Sequence, residues 1–445
     1  MRKLPRRTFL RVAGLTAAGA ATLGHRPVTS AWAQAPTELR IMWWGSKDRH
    51  DRTIKVLQMY QDQHPGIKFT YEFATFNDYW TRLATMAAGS NLPDIIQQDY
   101  ARLVEWDTNH LMLPLDDFVK DGTINLTRVP KASIDGGRVN GKLYAINLGN
   151  NSQAVMLDVD AFKKAGIALP NEKWTWQDFE QICLDFHKKL GIWGMGWGFN
   201  DPQIWKSLYI GYGTWVYTPN GQAIAAIDDS KFVDLLKMLL RLQAAGAVPT
   251  RQQEISDFNN SGFGSASIET QPIVTGKAAM AYLWSNQVVA VASAAGSGRT
   301  FKLTHLPRPK GGHASNYLKP SQFFSITSNS KHPKESAQFI DFFTNSIEAN
   351  RILRAERGIP IVPKVQEALK PLLSPAELET FRYIARVTAD GSPLPPPDPT
   401  KEGAFENTVY GPLVLDPVLF GKISPEQGAK TLRAEGDKVL AGQRA

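Results

Sequence analysis

Between Leu39 and Ile96 the hydrophobic period of the chain switches back and forth, and this alternation restricts the fold more than any other feature of its 445 residues. Leu39-Arg40-Ile41-Met42-Trp43-Trp44-Gly45 reads as a strand. A helical stripe of Ile54, Leu57 and Tyr60 follows and stops before His64-Pro65-Gly66, since proline disfavours helix in the residue preceding it. Ile67, Phe69, Tyr71 and Phe73 then alternate with Lys68, Thr70 and Glu72, the pattern of a half-buried strand. Tyr79, Leu83 and Met86 predict a second helix that Gly89 can end, and Asp94-Ile95-Ile96 begins another strand. This strand-helix-strand-helix-strand order predicts an α/β fold with a parallel or mixed sheet.

The second half has longer helices. Thr175 and Asp178 have capping-box spacing, and Phe179, Ile182, Cys183, Phe186 and Leu190 form the stripe that follows, with Gly191 beyond it. Cys183 is the sole cysteine, so no internal disulfide forms, and its place in the stripe makes it a small core hydrophobe. A helix is expected over Ser230 to Ala245, and Trp284-Ser285-Asn286-Gln287 is embedded in the apolar stretch Gly276 to Ala295. Ser374-Pro375-Ala376-Glu377 and Ser424-Pro425-Glu426-Gln427 each predict a helix start, and the proline-rich run Ser392 to Pro399 predicts an extended connection. Val139 to Asn151 lies between the two α/β halves. Its period-two pattern predicts a strand, either an ordinary one closed by a Gly-Asn-Asn turn or a crossover between the halves, where clefts commonly hold ligands.

Net charge tests whether a polyanion is the partner. The raw value is +8, but six basic residues and no acidic ones fall in the first 33 positions. Without them 44 basic face 42 acidic residues, so neither nucleic acid nor an anionic surface is implied. Pro5-Arg6-Arg7-Thr8-Phe9-Leu10-Arg11 resembles a twin-arginine export motif, followed by an apolar run from Val12 to Leu23 and an A-x-A site at Ala31-Trp32-Ala33. The expectation is a periplasmic protein, cleaved near Ala33 and beginning near Gln34, in which no later apolar run is long enough to span a bilayer.

The motifs of common chemistries are missing. The eight histidines are scattered without ligand spacing, so neither a metal nor another cofactor is expected. Gly194, Gly196 and Gly198 follow a helix and not a strand, which fails the context of a dinucleotide loop. Gly262-Phe263-Gly264-Ser265 lacks the spacing of a nucleophile elbow. What remains is a set of aromatic clusters and amides near predicted strand ends. Flat rings cover the apolar face of a sugar and amides pair with its hydroxyls, so this inventory suits carbohydrate recognition. Adjacent Trp43 and Trp44 stand out, because neighbours on a strand face opposite sides and both are rarely buried.

Several segments, in order and spacing, resemble the extracellular solute-binding proteins of family 1, the maltose-binding-protein-like sugar receptors of ABC importers. They are YQDQHPGIKFTYE, LATMAAGSNLPDIIQQD, LPLDDFVKDG, VNGKLYAINLGNN, LDVDAFKKAGIALPNEKWTWQDFEQI, VTGKAAMAYLWSNQ and KHPKESAQFIDFFTN with RGIP after it, spanning most of Leu39 to Pro360. The resemblance implies a type II periplasmic-binding-protein fold, two α/β lobes joined by crossing hinge strands. The lobes would be 34–147 with 322–358, and 148–321 with 359–445, after a signal peptide over 1–33. The implied substrate-binding positions are Trp43, Trp44, Gln98, Asp99, Tyr100, Asn150 and Asn151 in and beside the first lobe. In the second they are Trp197, Trp284, Ser285, Asn286 and Gln287, with Gln322 and Arg357 near the later crossovers.

The chain departs from the family at Asn147, where many relatives have proline, and at Leu157-Asp158, where they have Tyr-Asn. The WWGSKDRH stretch resembles a branch that includes receptors for uronic-acid oligosaccharides, so Arg49 or Arg357 would clamp a carboxylate through a bidentate fork. The expected function is a non-catalytic, monomeric receptor that captures a mono- or oligosaccharide and delivers it to an ABC permease. The alternatives are a receptor for a polyol phosphate, peptide or polyamine, and an exported glycoside-active enzyme.

Overall fold

The computed structural model describes residues 36–45, 47–196, 201–258 and 268–443. The export segment, Trp197, Gly198 and the run Gly262-Phe263-Gly264-Ser265 lie outside them. The first strands are β1 (Thr37–Trp44), β2 (Ile67–Ala74), β3 (Ile95–Gln98), β4 (Arg138–Val139), β5 (Lys142–Leu143), β6 (Ile146–Asn147) and β7 (Asn150–Asn151). They are followed by β8 (Gln153–Asp158), β9 (Trp193–Met195), β10 (Ala278–Trp284), β11 (Phe301–Thr304), β12 (Lys319–Pro320) and β13 (Phe323–Ile326). Two sheets result. The first has the order β2-β1-β3-β13-β6, and the second β11-β8-β10-β9. β1 runs parallel to β2 and β3, while β13 runs antiparallel to β3 and β6, which is the mixed sheet predicted by the alternating periods.

Helices cover both faces of the first sheet, and this overturns the expectation drawn from the paired tryptophans. Ile41 and Trp43 pack on one side with Val56, Leu57, Tyr60 and Phe339; Met42 and Trp44 pack on the other with Tyr79, Leu83 and Trp106. Trp43 is 0% exposed and Trp44 only 7%, because a strand buried on both faces has no outward side. β2 departs in the opposite direction. As the edge strand it leaves Tyr71 and Phe73 each 41% exposed, where alternation predicted half burial.

In the second lobe the predicted caps form. Thr175 and Asp178 make a reciprocal capping box on the helix Trp176–Leu190, Ser374 and Glu377 make another on Pro375–Asp390, and Ser424 caps Pro425–Leu440. Cys183 is fully buried between Phe179 and Phe186 in the second lobe's core.

The stretch Val139–Asn151 is not one strand. β4 and β5 form a hairpin turning at Asn140 and Gly141, both with positive φ (51° and 82°), and the chain then bends twice to give β6 and β7. Asn147 sits at the second bend: its Oδ1 accepts from the Gly149 amide at 3.0 Å and its Nδ2 donates to Asn150 Oδ1 at 2.8 Å. β6 belongs to the first sheet through β13, and β7 pairs with β12. The Asn150 amide and carbonyl bond Ile359 at 2.8 and 2.9 Å, so three segments of backbone meet at the junction of the lobes.

The expected boundary at Gly358 needs correction. Ile361, Val362, Val365, Leu369 and Leu373 pack in the same core as Val56 and Phe339, so the chain stays in the first lobe past the third crossing. The apolar stripe of the helix Pro363–Leu369 supplies Val365 and Leu369 to that core; Ala355 and Ile359 touch the second lobe's packing at the crossing, and the chain returns to it with Tyr383 and Ile384.

A Cβ on Gly149 would lie 2.5 Å from the Arg357 carbonyl oxygen. Gly149→Ala is therefore expected to push the first and third crossings apart and cost about 1–3 kcal/mol, read as a lower midpoint in thermal unfolding.

Candidate functional site

Ligands of open α/β sheets bind beyond the carboxyl ends of the parallel strands. In the first lobe those ends are Trp44, Ala74 and Gln98; in the second, Met195 and Trp284. Both sets of ends meet at Lys319, on the crossing strand β12. Its Nζ lies 4.0 Å from Asp99 Oδ2, just after β3, and 5.4 Å above the centre of the Trp284 ring, at the end of β10. A second contact crosses between the lobes, since Tyr100 Oη donates to the Pro395 carbonyl at 3.1 Å. The cleft thus runs between Asp99-Tyr100 on one side and Trp284 and the proline-rich segment on the other, with β7 and β12 as its floor.

One wall of the cleft is a charge cluster that no sequence pattern disclosed. Lys206, on the helix Pro202–Gly211, is 1% exposed and pairs with Asp398 at 3.1 Å, with Glu406 at 3.5 Å and with Glu402. Burial pushes the Tyr100 and Tyr317 phenols up, and the charge of Asp398 adds to both. Burial also raises Glu406, against the pull of Lys206. Asp201 caps the same helix, accepting from the Gln203 amide at 2.7 Å, and desolvation pushes its carboxyl up to about 7 although it keeps some solvent contact.

The expected residues divide by environment. Asp99, Tyr100, Asn151, Trp284 and Gln322 come together around Lys319. Asn151 is 5% exposed and its Oδ1 has no hydrogen-bond partner, and Gln322 Oε1 is likewise buried without one. Ser285 is buried and accepts from the Ser152 amide at 3.3 Å, Gln287 Oε1 caps the Trp284 amide at 2.9 Å, and Asn286 is half-buried beside them.

The remainder serve the scaffold. Trp43 is buried with its Nε1 donating to His50 at 3.1 Å, and Trp44 is closed in by Phe76, Tyr79 and Trp80. Gln98 is 0% exposed, its Oε1 accepting from the Asp99 amide at 2.9 Å. Asn150 faces the first lobe, donating to Ser133 Oγ at 3.0 Å.

Both arginines proposed as carboxylate clamps are structural ties. Arg49 Nε bonds both Glu356 oxygens, at 2.8 and 2.9 Å, and its Nη1 donates to the Trp44 carbonyl at 3.1 Å. Arg357 donates to Gln97 at 3.0 Å and to Thr53 at 2.9 Å over the rings of Phe324 and Phe343, and burial holds it down to about 9.

Sequence reasoning missed Lys319, Asp398 and the exposed rings of Phe73, near the end of β2, and Phe76, just after it. The two phenylalanines had a signal, flanking a strand end, but alternation absorbed Phe73 into an ordinary strand. Among the described residues no cluster of His, Cys, Asp and Glu is arranged for a metal, and no helix is long and apolar enough to cross a membrane.

Residues 55–379 match the family model of the bacterial extracellular solute-binding proteins. The chain belongs to that family. This solute-binding protein is 27% identical to an extracellular solute-binding protein of family 1 from Alicyclobacillus acidocaldarius, with a TM-score of 0.72 over 92% of this chain and 100% of that one. A periplasmic oligogalacturonide-binding protein from Yersinia enterocolitica, solved with saturated digalacturonic acid, shares its fold with a TM-score of 0.76 at 21% identity, covering 91% and 98% of the two chains. An uncharacterized lipoprotein of Streptomyces antibioticus is 22% identical over 356 residues, 76% of this chain and 73% of its own. The two-lobed periplasmic-binding-protein architecture read from the sequence is thus the fold of the solute-binding protein.

Asp201 gives the cleft wall a pH dependence. Its folded value of about 7 lies above the ordinary 3.8, so the folded state holds the proton more tightly and the protein loses stability as pH rises between those two values. Asp201→Asn keeps a capping side chain without that proton, and its urea midpoint is expected to vary less with pH across this window than the wild type's.

Proposed function

We propose that this solute-binding protein captures a carbohydrate between its lobes and delivers it to the membrane permease of an ABC importer, without catalysing a reaction on it. The observation that carries this reading is Trp284. It is a half-buried tryptophan at the end of β10 whose ring face is turned to the cleft, with a carboxylate and two unpaired amide oxygens around the same floor. An aromatic face beside fixed acceptors matches the two surfaces of a sugar ring. The binding of saturated digalacturonic acid by the Yersinia relative supports the same ligand class.

Export through the twin-arginine segment, cleavage near Ala33 and action as a periplasmic monomer complete the proposal. The extracellular family and the lipoprotein relative support export. Closure follows from ligand contacts made by both lobes, because a ligand with equal affinity for open and closed states shifts nothing. Asp99 and Tyr100 on one side and Trp284 on the other are placed for such contacts.

The test is thermal unfolding of residues 34–445 against neutral, acidic and amino mono- and oligosaccharides. A sugar at a hundred times its dissociation constant adds about 2.7 kcal/mol, seen as a raised midpoint; no shift with any sugar would sink the reading. Trp284→Ala is expected to weaken binding of the stabilising sugar by about tenfold or more with the fold intact, and unchanged affinity in calorimetry would remove Trp284 from the site.

A further inference from the structure

The cleft floor holds two amide oxygens without donors, beside one unpaired donor, Gln153 Nε2, on the residue opposite Trp284. Asn151, 5% exposed, presents an Oδ1 that accepts no hydrogen bond, and Gln322 Oε1 is buried in the same condition. Strand register brings these acceptors together. Asn151 pairs with Lys319, so their side chains share a face of the β7–β12 ribbon. Phe323 pairs with Gln98, which puts Gln322 next to Asp99. Two amide oxygens without donors and a carboxylate call for a ligand that brings donors.

A cation already sits there. The Lys319 ammonium lies over the Trp284 ring at 5.4 Å, yet it stands 4.0 Å from Asp99 and 3.4 Å from the Pro320 carbonyl, longer than good charge-assisted hydrogen bonds. An aromatic face beside a carboxylate is a seat for an ammonium ion, and the Lys319 side chain fills it loosely. The adjoining wall has the same sign, with the single charge of Lys206 set against Asp398, Glu402 and Glu406. A ligand carboxylate would meet this negative field without an arginine fork, since Arg49 and Arg357 are committed inside the first lobe.

We propose that the ligand is a carbohydrate carrying an ammonium group. Its nitrogen replaces that of Lys319 between Trp284 and Asp99, and its hydroxyls donate to Asn151 and Gln322. The proposal rests on the carbohydrate reading above and narrows it to amino sugars. Lys319 is then a tethered competitor that the ligand displaces, which gives its removal an unusual sign.

The experiment is calorimetric titration of residues 34–445 with chitotriose, its fully N-acetylated counterpart, maltotriose and trigalacturonic acid, at a pH where the chitotriose amines are protonated. Chitotriose is expected to bind about tenfold tighter than the other three or better. Lys319→Met is expected to tighten chitotriose binding further, and Asp99→Asn to weaken it by about tenfold. Because Asp99 also caps a turn, the Lys319→Met result stands as the independent check. Equal or tighter binding of the neutral or acidic trisaccharides overturns the amino-sugar assignment and leaves the carbohydrate reading intact. Loss of chitotriose binding in Lys319→Met overturns it as well, making Lys319 a ligand contact. Silence from all four trisaccharides overturns the amino-sugar assignment, and the carbohydrate reading is then decided by the wider thermal-unfolding panel.

Discussion

Three segments of backbone meet at the junction of the lobes, and their close approach is the constraint on which the rest of the structure depends. Asn150 exchanges both its hydrogen bonds with Ile359 on one side while β7 pairs with β12 on the other. Such proximity leaves no room for side chains on the facing surfaces. Gly149 touches the Arg357 carbonyl, and a Cβ on Gly358, at φ +93°, would lie 2.6 Å from Asn151 Oδ1. Glycine there meets both demands, close approach and a left-handed backbone. Because the crossing is held by main-chain bonds, Lys319, Asn151 and Asp99 are fixed relative to one another even though they come from distant parts of the chain.

The first lobe is tied behind the crossing by buried charge. Arg49 and Arg357 flank Glu356, and each donates to neutral groups as well, Arg49 to the Trp44 carbonyl and Arg357 to Gln97 and Thr53. Breaking a buried pair of this kind leaves an uncompensated charge and costs far more than the pair contributes net. This explains why two arginines suited by type to grip a ligand carboxylate are instead spent inside the protein. Arg357 lies one residue before Gly358, so the network also anchors the third crossing.

The second lobe contributes the chemistry that the first lacks. Its proline-rich segment carries Pro395, which receives the Tyr100 hydroxyl, and Asp398, which pairs with Lys206. An extended run with few backbone hydrogen bonds of its own can lie along the cleft and present carbonyls and carboxylates to it. In the proposed site the negative field of that wall, the unpaired acceptors of the floor and the ring of Trp284 act on one ligand. Electrostatic complementarity of this kind acts chiefly on which ligand is accepted, with smaller effects on raw affinity.

Local rules read from the sequence held wherever the cause was local. The caps at Thr175, Ser374 and Ser424, the apolar stripe around Cys183 and the alternation from β1 to β3 are decided within a few residues by hydrogen-bond geometry and side-chain period. The family resemblance, and with it the two-lobed fold, was legible because motif order survives divergence. Errors arose where a distant element intervened. Trp43 and Trp44 both disappear because helices cover both faces of β1, Val139–Asn151 breaks where two other segments cross it, and Val365 and Leu369 hold the chain in the first lobe. Arg49 found Glu356, 307 residues away, and Lys319 found Asp99 and Trp284. The sequence by itself determined the elements, the family and the chemical kinds of residue available. Only the tertiary structure decided which charges are neutralised internally and which face the cleft, because pairing depends on separation in space and chain order does not encode it.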